Sequence, residues 1–133
     1  MKLALILCTA LLLAGCASAH LYPVQGPLAA KVPPPAYSVK LDYADSISVI
    51  RGRGDHCDGV WLAVVKEDPS AQDLAFAWDL VYGKGYFLAN VLGHNGIARS
   101  TITCAKGGTV EVEFNTTQGV AKDNDGNVFK LTF

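Results

Sequence analysis

Ile97-Ala-Arg-Ser-Thr-Ile-Thr-Cys104, then Ala105-Lys-Gly-Gly108, then Thr109-Val-Glu-Val-Glu-Phe114 is the stretch whose reading decides the fold. Both flanking runs alternate apolar and polar residues with the period of two that a half-buried strand requires, and glycines punctuate the space between them. The pattern predicts an antiparallel hairpin. A three-residue loop Lys106-Gly107-Gly108, with glycine in the left-handed conformation, sets Cys104 opposite Val110, Ile102 opposite Val112 and Ser100 opposite Phe114. Thr101, Thr103, Glu111 and Glu113 then share the outer face. A two-residue Gly-Gly loop would instead oppose Cys104 to Glu111 and Ile102 to Glu113, setting charges against the apolar face, so burial favours the longer loop. Cys104 is therefore expected to point inward.

The C-terminal segment repeats the logic. A three-residue loop Asn124-Asp125-Gly126 sets Phe129 opposite Ala121 and Leu131 opposite Gly119, large against small, with Lys122 and Lys130 outside. Upstream, Ser38–Leu41, Ser46–Arg51, Val60–Lys66, Tyr86–Leu92, Ile97–Cys104, Thr109–Phe114, Val120–Asp123 and Val128–Phe133 each suit strands. Val60–Val65, apolar on both faces, has the pattern of a central strand. One helix is expected over 71–81: Pro69-Ser70 suits its start, Leu74, Ala77, Trp78 and Val81 share a face, and Gly83 or Gly85 would stop it. The sum is a mainly β domain, a small antiparallel sandwich or barrel-like sheet with one short α-helix.

Composition narrows the function classes. Lys and Arg number 11 against 12 Asp and Glu, a net charge of −1, with no basic run and no interleaved aromatics. That lacks the electrostatic footprint of a nucleic-acid binder. No Walker loop, G-x-S-x-G or Rossmann glycine set occurs, so no catalytic site, cofactor or metal is expected. Asp55-His56-Cys57-Asp58, with His94 elsewhere, contains the residue types of a Cys–His nucleophile, although its order and spacing fit no hydrolase signature. The same residues lack the paired spacing of a zinc site, and the better reading is a histidine exposed in a turn. Arg53-Gly54-Asp55 is an integrin-type tripeptide that carries too little information to act on. Asp123-Asn124-Asp125-Gly126-Asn127 hints at a calcium loop, but alignment on its glycine puts Ala121 and Thr132 at key ligand positions, and a hairpin turn explains the same residues.

The N-terminus is read separately. Lys2 precedes an apolar run, Leu3–Leu13, too short for the ~20 residues of a membrane-spanning helix and suited to a secretion signal. Leu13-Ala14-Gly15-Cys16 follows it and resembles the lipobox of bacterial lipoproteins. The resemblance implies removal of residues 1–15 and lipid attachment at Cys16, which would carry a thioether-linked diacylglycerol and an N-terminal acyl chain, palmitate being typical of the class. Several chains make a lasting anchor where one holds only marginally. Ala17, in place of an inner-membrane-retaining Asp, implies the outer membrane, facing the periplasm. The competing reading is ordinary secretion with cleavage after Ala17-Ser18-Ala19.

Loss of Lys2 with the leader leaves a net charge of −2. Cys8 also departs and Cys16 is occupied by lipid, so Cys57 and Cys104 remain as one pair. In an oxidising compartment such a pair is expected to form a disulfide, the sharper alternative being a reactive thiol. Five of the six prolines, Pro23, Pro27, Pro33, Pro34 and Pro35, fall within residues 16–36. They predict an extended tether between the lipid and a globular domain over 37–133, unless Leu21–Leu28 packs along the domain edge.

Leu21-Tyr-Pro-Val-Gln-Gly-Pro-Leu28 and Gly119–Phe133 together resemble small Gram-negative lipoproteins that carry the first segment just after the lipidated cysteine. The expected function is a lipid-anchored binding or accessory module of the envelope, its partner a protein or glycan. The alternative is a thiol-dependent periplasmic enzyme using Cys57 with His56 or His94.

Overall fold

Nine strands and two helices make up the computed structural model, which describes residues 16–42, 45–52, 54–63, 74–92, 94 and 96–133. In chain order they are β1 (Cys16–Gln25), β2 (Tyr37–Asp42), β3 (Ser46–Ile50), β4 (His56–Val60), β5 (Leu62–Ala63), α1 (Ala75–Tyr82), α2 (Tyr86–Asn90), β6 (Ala98–Cys104), β7 (Thr109–Phe114), β8 (Gln118–Asp123) and β9 (Val128–Thr132). Every pairing is antiparallel. β1 lies between β2 and β9, and β4 pairs with β6, so eight strands close into a barrel, with β5 a two-residue continuation of β4 along β6. The expected mainly β, barrel-like architecture is found.

Alternation along the strands fills the barrel. Ala19, Leu21, Val39, Leu41, Ile47, Val49, Cys57, Ile102, Cys104, Val110, Val112, Ala121, Phe129 and Leu131 are buried in one interior cluster, as a barrel of this strand number requires. A second cluster lies outside the wall. Leu74 at the start of α1, Ala77 and Trp78 from α1 and Phe87 from α2 cover Val120 and Val128 on the outer face of β8 and β9. Trp78 Nε1 donates to Glu113 Oε1 at 2.9 Å, which lets a carboxylate on the outer face of β7 be fully buried beneath the helix.

The hairpin that leads the sequence reading forms with its faces as expected and its register moved. Ile102 opposes Val110 and Ser100 opposes Val112, two residues from the predicted pairing, because the three-residue loop is Ala105-Lys106-Gly107 and Gly108 has joined the ladder by accepting from the Cys104 N–H. Gly108 can do this at φ +87, with Asn124 Oδ1 so close that a Cβ would meet it at 2.4 Å. A shift of two leaves every side chain on its face. The last hairpin matches in register, Phe129 opposite Ala121 and Leu131 opposite Gly119.

Three corrections concern other segments. Tyr86–Leu92 was expected as a strand from its aromatic and branched residues, but residues 86–90 form α2. Gly85 at φ 84 turns the chain, the Asp79 carboxylate accepts the Phe87 N–H at 2.9 Å, and Phe87 and Val91, four apart, share the face toward Trp78. Val60–Val65 is not a central strand: Val60 is 56% and Leu62 66% exposed, because the helices sit over β8 and β9 and leave the outer face of β4 and β5 bare. Residues 64–66 of that predicted strand lie outside the described residues, as do residues 71–73 of the predicted helix. His56, expected in a turn, instead begins the strand β4.

The largest departure is the predicted tether over 16–36. Cys16–Gln25 is β1, a wall of the barrel, with Ala19 and Leu21 among the most buried residues. Pro23 is tolerated because β2 pairs only as far as Leu21, and a register shift between Pro23 and Gln25 interrupts the β9 ladder. The remainder folds across one end of the barrel: Leu28 packs on the interior cluster and its N–H donates to Asn127 Oδ1 at 2.9 Å. The domain boundary expected between 36 and 37 is therefore absent among the described residues.

Candidate binding site at the barrel mouth

The two ends of the barrel differ. At one end lie the Pro-rich segment and the turns β3–β4, β6–β7 and β8–β9, tied by polar contacts. Asp123 Oδ1 accepts from the N–H groups of Asp125 and Asn127 and Oδ2 from Asn127 Nδ2, while Asn124 Oδ1 accepts the Thr109 N–H. Arg51 donates from Nε to Asp55 Oδ2 at 2.7 Å and from Nη2 to the Gly107 carbonyl, and Asp55 Oδ1 accepts the Lys106 N–H. Burial pushes the Asp55 carboxyl up, but the Lys106 N–H and the Arg51 guanidinium together outweigh it and hold the group below the usual carboxylate range.

The other end is open. β1, β6 and β8 start there, β2, β4, β7 and β9 finish there, and a cavity of about 520 Å³ occupies the mouth. Leu41, Trp61, Ala98, Phe114 and Phe133 form its apolar wall, and Ser18, Asp42, Asn115 and Thr116 contribute polar groups. The volume is within the ~300–1,000 Å³ typical of small-ligand sites.

Hydrogen bonds with backbone groups fix this wall. Trp61 breaks the line between β4 and β5 because its N–H donates to the Asp45 carbonyl at 2.7 Å and its Nε1 to the Asp42 carbonyl at 3.3 Å, which turns the indole into the mouth. Its ring meets Phe114 edge-on at 6.1 Å, and Phe114 meets Phe133 in the same manner at 6.3 Å. Ser100 Oγ donates to the Val60 carbonyl at 2.6 Å, and Asn115 Oδ1 accepts from the Thr117 and Gln118 N–H groups, shaping the β7–β8 turn. The mouth offers shape and apolar area, with hydrogen-bonding groups near it, to an apolar group that enters from outside.

The residues singled out in the sequence fall elsewhere. Cys57 and Cys104 are joined in a disulfide inside the barrel, as expected, so Cys57 carries no thiol proton for a base to take. His56 projects outward from the same strand and pairs through Nδ1 with Asp58 Oδ2, while Ser48 Oγ donates to Asp58 Oδ1 at 2.8 Å. The Ser48 and His56 hydrogen bonds lower the Asp58 carboxyl. The serine proton thus points at the carboxylate and not at the imidazole, which is not the order a nucleophile needs. His94 is distant in sequence and meets the Ala89 carbonyl through Nε2 at 3.1 Å. Among the described residues no group of three or more His, Cys, Asp and Glu side chains could hold a metal ion. In Arg53-Gly54-Asp55 the aspartate is buried and paired with Arg51, and Arg53 lies outside the described residues. The Asp123–Asn127 loop spends the Asp123 carboxylate on its own N–H donors.

Cys16 begins β1, paired with Asp42, at the open end, one residue before Ala17 in the cavity wall. No helix among the described residues is long and apolar enough to cross a membrane. The mouth itself escaped the sequence reading. Its signal is present in hindsight: Phe114, the last residue of β7, and Phe133, just past β9, are inward-phase aromatics where no further layer of the barrel covers them. Comparison with protein-family models, with curated proteins and with solved structures finds no match for this chain.

Proposed function

We propose that this protein is a lipid-anchored module of the bacterial envelope, attached through Cys16 on the periplasmic side of the outer membrane, that binds an apolar group at the mouth of its barrel. The observation that carries the reading is the cavity of about 520 Å³ with its wall of Leu41, Trp61, Ala98, Phe114 and Phe133. An eight-stranded barrel has an interior either filled by its own side chains or just wide enough for one small ligand. Here the middle layers are filled and the mouth is not. With Cys57 held in its disulfide, no catalytic step is assigned.

A fluorescent acyl probe tests the binding. Dansyl-undecanoate should gain emission on mixing with the protein, and Ala98→Phe, which fills the mouth with a side chain directly opposite Phe114, should abolish that gain while leaving the thermal transition in place. A folded wild-type protein that leaves the probe emission unchanged would refute apolar binding at this site.

A further inference from the structure

At the open end, exposed apolar residues accompany an open apolar cavity. Val60 is 56%, Leu62 66% and Phe133 46% exposed, and all three lie at the open end around Trp61 and the cavity. The far end is built from polar turns containing Arg51, Asp55, Lys106, Asp123 and Asp125, with Val24, Val32 and Ile50 exposed there as well. Exposed apolar side chains beside an open apolar cavity mark an interaction surface. Cys16 is at the same end, already paired with Asp42 in β1, so no residues separate it from the wall of the barrel.

We propose that the open end is a membrane-docking face: Val60, Leu62 and Phe133 enter the interfacial layer of a phospholipid bilayer, Trp61 lies at that level, and the mouth opens onto the acyl chains. The inference rests on the reading of Cys16 as the lipid-bearing residue. A lipid attached there leaves no tether to stand the barrel away from the surface, so the end that bears Cys16 meets the bilayer, and that end holds the open apolar cavity. Tryptophan is enriched at this depth because its ring is apolar and its N–H polar. The occupant of the mouth is then an acyl chain of the bilayer beneath it. The face is apolar, so its docking should be insensitive to salt.

The two tryptophans provide the test, since Trp61 is at the mouth and Trp78 is fully buried on the inner face of α1. The protein expressed from the full-length sequence is purified from the membrane fraction, its mass is measured to establish what Cys16 carries, and it is placed in phosphatidylethanolamine–phosphatidylglycerol vesicles with brominated acyl chains. Bromine quenches only indole that approaches the acyl region. The wild type should lose emission, Trp61→Phe should show almost no loss, and Leu62→Asp should recover part of it, with equal results in low and high salt. A protein lipidated at Cys16 whose emission is unchanged overturns the docking face and leaves the anchor intact. A protein without lipid on Cys16 overturns the anchor. In that case emission still lost in brominated vesicles upholds the docking face, and emission unchanged overturns it as well.

Discussion

Cys57 and Cys104 face each other across the seam between β4 and β6, their Cα atoms 3.8 Å apart, at one of only two residue pairs that join these strands. Apart from the two pairs that β5 adds with β6 along the same seam, the barrel wall is held by ladders of four to six pairs. The covalent bond thus lies at the thinnest ladder that closes the barrel. With a sequence separation of 47 between the cysteines, the chain-entropy account gives about 4 kcal/mol. Cys57→Ala/Cys104→Ala should lower stability by roughly 2–4 kcal/mol, read as a fall in the urea midpoint that reductant reproduces in the wild type. An unchanged midpoint in both would show that the seam closes without the bond.

Asn127 connects the Pro-rich segment to the barrel. Its Oδ1 accepts the Leu28 N–H, and its own N–H and Nδ2 both donate to the Asp123 carboxylate. Asn127→Ala should cost about 1–3 kcal/mol, since it strands a backbone donor and a buried carboxylate oxygen. Limited proteolysis should report a new cut within residues 26–36 in the variant. Cleavage there in the wild type at the same rate would mean the segment is not held.

Asp55 makes stability depend on pH. Its folded carboxyl is held low by the Lys106 N–H and the Arg51 guanidinium against the opposing pull of burial. A carboxyl lowered on folding contributes stability above its unfolded value of about 3.9, and the contribution is lost as pH falls through the folded value. Urea midpoints of the wild type and Asp55→Asn should be farthest apart near neutrality and converge as pH drops below ~4. A gap that stays constant down to pH 2 would assign the difference to packing.

Cys16→Ser tests the anchor independently of the barrel. The variant should accumulate as an unlipidated chain that keeps residues 1–15, recognised by its intact mass. Normal release of a soluble form beginning at His20 would place the cleavage after Ala17-Ser18-Ala19 instead.

The sequence by itself determined the fold class, five of the strands nearly to their ends, the facing of both hairpins and the cysteine pair. These follow from period-two alternation and turn glycines, which act over a few residues and are written in local order. Tertiary structure decided the rest. Prolines over 16–36 read as a tether because their local cost to a strand is visible and the compensation is not: β1 is accepted between β2 and β9 because Ala19 and Leu21 fill the barrel and Pro23 falls beyond the β2 ladder. Tyr86–Asn90 has strand-forming residues, yet Asp79 and Trp78, eight residues upstream of Phe87 and Tyr86 respectively, make it a helix by supplying a cap and a surface. The mouth belongs to the same class. Leu41, Trp61, Ala98, Phe114 and Phe133 come from five separate segments, and only closure of the barrel through β4 and β6 brings them around one cavity.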